Sequence, residues 1–196
     1  MKAAFEPIRR LHHFAWRCRD AEETRVFYED LLGLPLTHLI RADHVPSTGE
    51  HCPYVHLFFE LCDGSSVAFF DLGDDQAAEP SPNTPAWVNH LSLKVDSLEA
   101  LERARQRLQQ AGVEVLGITD HGFVRSIYFF DPNGLRLELT VDMRDGPVSE
   151  IDRKRARTGL DQWTAEKARR GRGRSTAGTV ETQARAAAAA SSESRP

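Results

Sequence analysis

The chain has 196 residues, of which 40% are hydrophobic and 28% are charged, and its formal net charge is −4. This length fits one ordinary domain, or two small fused modules with a tail. Its apolar runs are too short to cross a bilayer, and its charge gives no general attraction to nucleic acid or anionic lipid. We therefore expect a small-molecule substrate and no membrane or nucleic-acid partner.

The start of the chain and its cysteines predict a cytoplasmic protein. Glu6, Arg9 and Arg10 stand where a secretory signal would need an uninterrupted apolar core. The cysteines are odd in number and show no C-x-x-C spacing, which argues against a disulfide framework and a zinc ribbon. They are Cys18, Cys52 and Cys62.

Two stretches of the chain repeat the same order of one strand, one helix and three strands. Residues 11–20 and 88–96 alternate between polar and apolar, as strands do, and each is followed by a helical pattern that ends at Gly33 or Gly112. In the first helix, 21–32, the apolar pattern places Val26, Phe27, Leu31 and Leu32 together on one side, which we expect to be buried. Later, 57–64 and 127–134 align as strands that enter an Asp/Gly turn.

The repeat divides the chain into five parts and predicts an α+β fold. A first βαβββ module spans 8–75, a Pro-rich linker spans 76–86, and a second βαβββ module spans 87–145. A surface helix follows at 149–169. The remainder, 170–196, is rich in Arg, Ser and Ala and lacks large apolar residues, so we expect a disordered tail. Its arginines could bind a polyanion, but a solvated basic tail is the simpler interpretation.

The aligned halves place His13 opposite His90, each on the first strand of its module. A single strand histidine is usually an ordinary hydrogen-bonded residue, but a matched pair related by a pseudo-two-fold axis favours metal ligation. Glu138 lies on the last strand of the second module, and alone it would be a solvated residue. With both histidines it completes a facial triad that suits Fe(II), with Mn(II), Zn(II) or Ni(II) as alternatives. Ala68 occupies the equivalent position of the first module, so three protein ligands leave coordination positions open for substrate.

Over roughly 10–141 the chain resembles the vicinal oxygen chelate superfamily, which includes glyoxalases, bleomycin-resistance proteins and type I extradiol dioxygenases. The resemblance is carried by the segments 13–20, 27–34 and 131–138. It implies two tandem βαβββ modules that form a half-open mixed β-barrel around a metal site, followed by the C-terminal helix and disordered tail. Members of this superfamily are often dimers, and we expect a homodimer.

A narrower motif resembles the signature of extradiol ring-cleaving dioxygenases. It runs Thr119-Asp-His121, five residues, Ile127-Tyr128, two residues, Asp-Pro-Asn-Gly, three residues and Glu138. The resemblance implies that His121 hydrogen-bonds or protonates near the bound substrate or oxygen, and that Tyr128 holds a catecholate at the metal. From the residues alone, His121 could equally be an exposed loop residue and Tyr128 a half-buried strand aromatic. For a further active-site histidine of that family, His51 and His56 are both candidates.

The expected function is therefore a metal-dependent dioxygenase of extradiol type, which cleaves a catechol-like or other vicinal-oxygen molecule with O2. One alternative is a glyoxalase, isomerase or transferase of the same fold that uses the metal only as a Lewis acid. Another is a metal-free, ligand-sequestering resistance protein. Each requires a concave face that can hold a small molecule.

Overall fold

The computed structural model describes residues 6–144 and 146–170. The chain divides into two compact units, 1–144 and 145–196. The second unit contains a helix at 150–170, where the sequence predicts one at 149–169. The tail predicted at 170–196 lies, apart from its first residue, outside the described residues. In the part of the chain that is described, no helix is long and apolar enough to cross a membrane.

The first unit contains two four-stranded sheets with the same topology. The first sheet has the order β1-β4-β3-β2 and the second has the order β5-β8-β7-β6. In each, the first strand runs parallel to the last and the other pairs are antiparallel. The strands are β1 (His13–Arg17), β2 (Leu36–His44), β3 (His51–Glu60), β4 (Ser66–Asp71), β5 (Leu91–Lys94), β6 (Leu116–Asp120), β7 (Val124–Phe130) and β8 (Arg136–Asp142). This confirms the predicted α+β fold, in which both sheets are open.

The helix of the first module begins as α1 (Ala21–Arg25) and continues as a π-helical segment (Val26–Leu31). Asp20 caps its N-terminus by accepting a 2.7 Å hydrogen bond from the Glu23 amide. Thr24, Phe27 and Tyr28 are buried and share one face of the helix, being three and four residues apart. Val26 is 46% exposed, so the prediction that it shares the buried side with Phe27 was wrong.

The helix of the second module, α2 (Leu98–Gln110), follows its sequence pattern. Ser97 caps it by accepting a 3.1 Å hydrogen bond from the Ala100 amide. Leu101 and Leu108, seven residues apart and thus on one face, are fully buried.

The core lies on the helix-facing sides of both sheets. Phe59 and Phe69 of the first sheet, whose rings neighbour that of Tyr28, and Ile127 and Leu137 of the second sheet are buried in this core. Because side chains alternate along a strand, residues at the intervening positions face away from this core. Those opposite faces carry the candidate site residues.

Candidate functional site

Tyr128 and Glu138 are direct cross-strand neighbours on β7 and β8. Their side chains therefore lie on the same face of the second sheet. The Tyr128 hydroxyl donates a 2.8 Å hydrogen bond to Glu138 Oε1, and Glu138 is only 7% exposed. Glu138 is thus a buried carboxylate with a fixed donor, and not the solvated strand residue that its sequence position alone suggests.

His121 lies in the turn after β6, and its ring reaches back to Tyr128. Its Nε2 is 2.8 Å from the Tyr128 hydroxyl oxygen. Because that hydroxyl donates its proton to Glu138, the His121 Nε2–H must act as the donor in this contact. His121 is exposed, as a loop residue would be, and is also linked to the carboxylate through the phenol.

His90 stands immediately before β5 and not within it, and it contacts the other oxygen of Glu138. Its Nε2 is 3.2 Å from Glu138 Oε2, and its Nδ1 is 3.0 Å from the Val88 carbonyl oxygen. A carbonyl only accepts, so Nδ1 carries a proton, and in a neutral ring Nε2 turns a lone pair toward the carboxylate. Such a contact is favourable only with a proton or a cation between the two atoms. A histidine oriented by a carbonyl beside a carboxylate is a donor set that fits a divalent metal.

The surroundings keep Glu138 ionised and Tyr128 protonated. Burial raises the pKa of Glu138, but the nearby hydroxyl groups of Ser126, Ser92 and Tyr128 and the electrostatic effect of His90 outweigh it, so the pKa lies below its ordinary value. Burial, the hydrogen bond to Glu138 and the charge of that carboxylate raise the pKa of Tyr128. The pair therefore offers an anionic ligand and a neutral phenol at neutral pH.

His13 makes no contact with Glu138 or His90 among the described residues. It is exposed on β1, its Nδ1 is 2.8 Å from Nδ1 of His12, and its ring also neighbours those of His56 and Phe58. The adjacent residue Phe14, on the opposite side of β1, borders the same cavity as His90. His13 therefore points away from the side of the strand nearest His90. Within 6–144 and 146–170, no group of three His, Cys, Asp or Glu side chains is close enough to hold a metal ion.

Of the two further histidine candidates, His56 is the one beside His13. The ring centroids of His56 and His13 are 5.9 Å apart. His51 instead pairs with His44, where β2 ends and β3 begins. His56 is buried, stacks on Phe70 with centroids 3.7 Å apart, and has Nδ1 3.0 Å from the Phe69 carbonyl oxygen. Burial lowers the pKa of His56, so its neutral form is favoured.

Arg136 was given no functional role from the sequence alone. Its guanidinium carbon is 4.5 Å from the centroid of the Tyr128 ring, which places a cation over the phenol. The available signal was its position two residues before Glu138, because period two puts both side chains on the same face of β8.

Residues 10–139 match the Glyoxalase/Bleomycin resistance protein/Dioxygenase superfamily. The chain belongs to this superfamily, as the motifs indicated. It is 28% identical to YwkD, an uncharacterized protein of Bacillus subtilis, over 67% of this chain and 96% of that protein. It is 27% identical to MhqA of Bacillus subtilis, provisionally named a ring-cleaving dioxygenase, over 67% of this chain. The match spans 40% of the length of MhqA.

Solved structures share the fold. A glyoxalase/dioxygenase from Nostoc punctiforme superposes with a TM-score of 0.53 at 24% identity, over 74% of this chain and 99% of that one. A mutant of FosX, a fosfomycin resistance protein of Listeria monocytogenes, superposes with a TM-score of 0.50 at 21% identity, over 68% and 92% of the two chains. That structure is a complex with Mn(II) and 1S,2S-dihydroxypropylphosphonic acid. Divalent metals thus occur in this superfamily.

Proposed function

We propose that the protein is a metal-dependent dioxygenase of extradiol type, acting on a catechol-like or other vicinal-oxygen small molecule. The observation that carries the proposal is the continuous chain of contacts His121–Tyr128–Glu138–His90. It joins two of the proposed metal ligands to the two proposed catalytic residues. The similarity to MhqA supports the same reaction class.

In this proposal each residue has one task. Glu138 and His90 hold the cation, which would supply chelation of two neighbouring substrate oxygens and, as Fe(II), electron transfer to dioxygen. Tyr128 remains protonated, and once a cation occupies Glu138, the Tyr128 hydroxyl can donate its hydrogen bond to a substrate oxyanion in place of that carboxylate. His121 lies at the exposed end of the chain of contacts, where it can exchange a proton with substrate or water. Both atoms of the dioxygen molecule enter the ring-opened product, so the reaction needs no external reductant.

We propose further that a second copy of the chain supplies His13 as the third ligand. His13 is exposed and points away from the side of β1 nearest His90. The site-bearing face of the second sheet also leaves Leu116 64% and Phe130 50% exposed. Apolar side chains beside a polar site are typical of a surface covered by another protein. This arrangement is consistent with the expected homodimer.

The test is anaerobic purification, loading with Fe(II), metal analysis, and measurement of oxygen uptake with a panel of catechols. Ring fission beside the diol gives a yellow product. We expect His121→Ala to keep its iron and lose at least about a hundredfold in turnover. His44→Ala, at the far end of β2, is the matched control and should keep both. Iron-loaded protein that consumes no oxygen with any diol contradicts the dioxygenase proposal.

Two other functions give different results in the same assay. A Lewis-acid isomerase or transferase would work without oxygen, and His121→Ala would have little effect. A metal-free binding protein would show no metal binding tighter than millimolar. One observation favours a metal-free binding protein. Among the described residues, a single chain brings together only His90 and Glu138 of the three proposed ligands.

A further inference from the structure

A cavity of about 550 Å³ lies beside the candidate site. It is bordered by Phe14 and Trp16 of β1, by several residues of the segment 79–90 including His90, and by Phe130, Leu135 and Arg136. This volume falls within the range of about 300 to 1,000 Å³ that is usual for small-molecule sites. His90 and Arg136 belong both to the cavity wall and to the candidate site, so a ligand in the cavity would contact two residues of that site.

Part of the cavity wall is aromatic and apolar. The rings of Phe14 and Trp16 are nearly parallel, with centroids 5.9 Å apart and an angle of 16° between their planes. Leu135 and the half-exposed ring of Phe130 extend the apolar surface. Aromatic and aliphatic walls of this kind favour a planar apolar ligand body.

Arg136 gives the cavity a cation without a counter-ion. The guanidinium is half-buried and lies over the Tyr128 ring. Among the described residues no carboxylate forms an ion pair with Arg136, whereas the neighbouring Glu138 already accepts from Tyr128 and faces His90. Glu79 also borders the cavity, but it is exposed, so water screens its charge. The planar fork of an arginine matches the two oxygens of a carboxylate.

We propose that this cavity binds an aromatic carboxylate, with its ring against Phe14 and Trp16 and its carboxylate on Arg136. The inference rests on the proposed function only in taking this ligand to be the substrate. Binding itself needs no metal, so it can be measured separately from turnover.

The experiment is titration calorimetry of the full chain without metal, using 2-naphthoate and its uncharged analogue 2-naphthamide. A charge-assisted pair with Arg136 should make naphthoate bind about tenfold more tightly than the amide. Arg136→Met should remove this preference by weakening naphthoate alone. Arg136→Lys, which keeps the charge and loses the fork, should keep a smaller preference.

The matched control is Arg144→Met, because Arg144 also lies over an aromatic ring, that of Phe123, and does not border the cavity. It should bind both probes as the wild type does. Equal binding of the two probes by the wild type, or a preference that survives Arg136→Met, overturns the proposal. If naphthoate binding fails while a neutral catechol is still cleaved, this inference is wrong and the proposed function stands. If naphthoate binds as expected while no diol is cleaved, this inference stands and the proposed function is wrong.

Discussion

The Tyr28 hydroxyl donates a 3.0 Å hydrogen bond to Asp131 Oδ2, and both groups are buried. The two residues are 103 positions apart and belong to different modules. Asp131 also accepts from the amides of Asn133 and Leu135, at 2.9 and 2.8 Å. The contact therefore fastens the helix of the first module to the turn that leads into β8, the strand of Glu138.

Tyr28→Phe should destabilise the protein by about 2 kcal/mol, because it removes a buried hydrogen bond to a carboxyl group. Urea unfolding at neutral pH measures the loss. Tyr54→Phe is the matched control, since the Tyr54 hydroxyl makes no hydrogen bond within the described residues, and its ring packs on Phe70. An equal effect of the two substitutions would show that the contact between the modules contributes nothing.

The stability contribution of Asp131 should fall as pH rises. Burial raises the pKa of Asp131 above its ordinary value, although its hydrogen bonds act in the opposite direction. The folded state therefore binds this proton more tightly, and the associated stability is lost as pH rises from the unfolded pKa, about 3.9, through the folded one. In urea unfolding, the stability advantage of wild type over Asp131→Asn should shrink from about pH 4 upward. If the stability advantage of wild type over Asp131→Asn grows with pH over that range, the pKa of Asp131 is not raised in the folded state.

Tyr128→Phe should lower turnover by about a hundredfold or more while leaving metal content unchanged. The substitution removes a donor to the substrate oxyanion and leaves the carboxylate of Glu138 and the ring of His90 in place. Steady-state kinetics and metal analysis of the same preparation measure both quantities. Loss of metal together with activity would instead place Tyr128 among the groups that hold the cation.

Metal should raise the melting temperature, and chelation should lower it again. A ligand at a hundred times its dissociation constant stabilises the folded state by about 2.7 kcal/mol. Thermal melts with and without chelator measure this difference. His13→Ala should abolish most of it and change the apo protein little, because the His13 side chain is exposed. Full metal stabilisation in His13→Ala would remove His13 from the ligand set.

Mixing His13→Ala with His90→Ala should restore activity if a second copy supplies His13. Refolded together, the two variants form mixed dimers in which one of the two sites has a complete ligand set. Statistical mixing then gives about a quarter of wild-type activity. Each variant refolded alone should be inactive. If the ligands come from one chain, every site in the mixture lacks a histidine and no activity returns.

The sequence alone determined the local elements and the duplication. Period-two and helical patterns, the glycines at the helix ends and the paired Asp/Gly turns are local signals, and they led to two βαβββ modules. The aligned motifs also led to the superfamily to which the chain belongs. Alternation along β8 was sufficient to place Glu138 on the face opposite Leu137 and Leu139, because it depends only on strand geometry.

Tertiary structure decided what depends on register and on packing between distant segments. The pairing of Tyr128 with Glu138 and the reach of His121 follow from the β7–β8 register and the turn before β7, which no local pattern specifies. Tyr28 is buried and Val26 exposed, because the packing of the modules decides which face of the first helix meets Asp131 and the aromatic core. His13 and His90 match in sequence, but the packing of the modules turns His13 away from the side of β1 nearest His90, because a repeat fixes equivalence of position and not proximity.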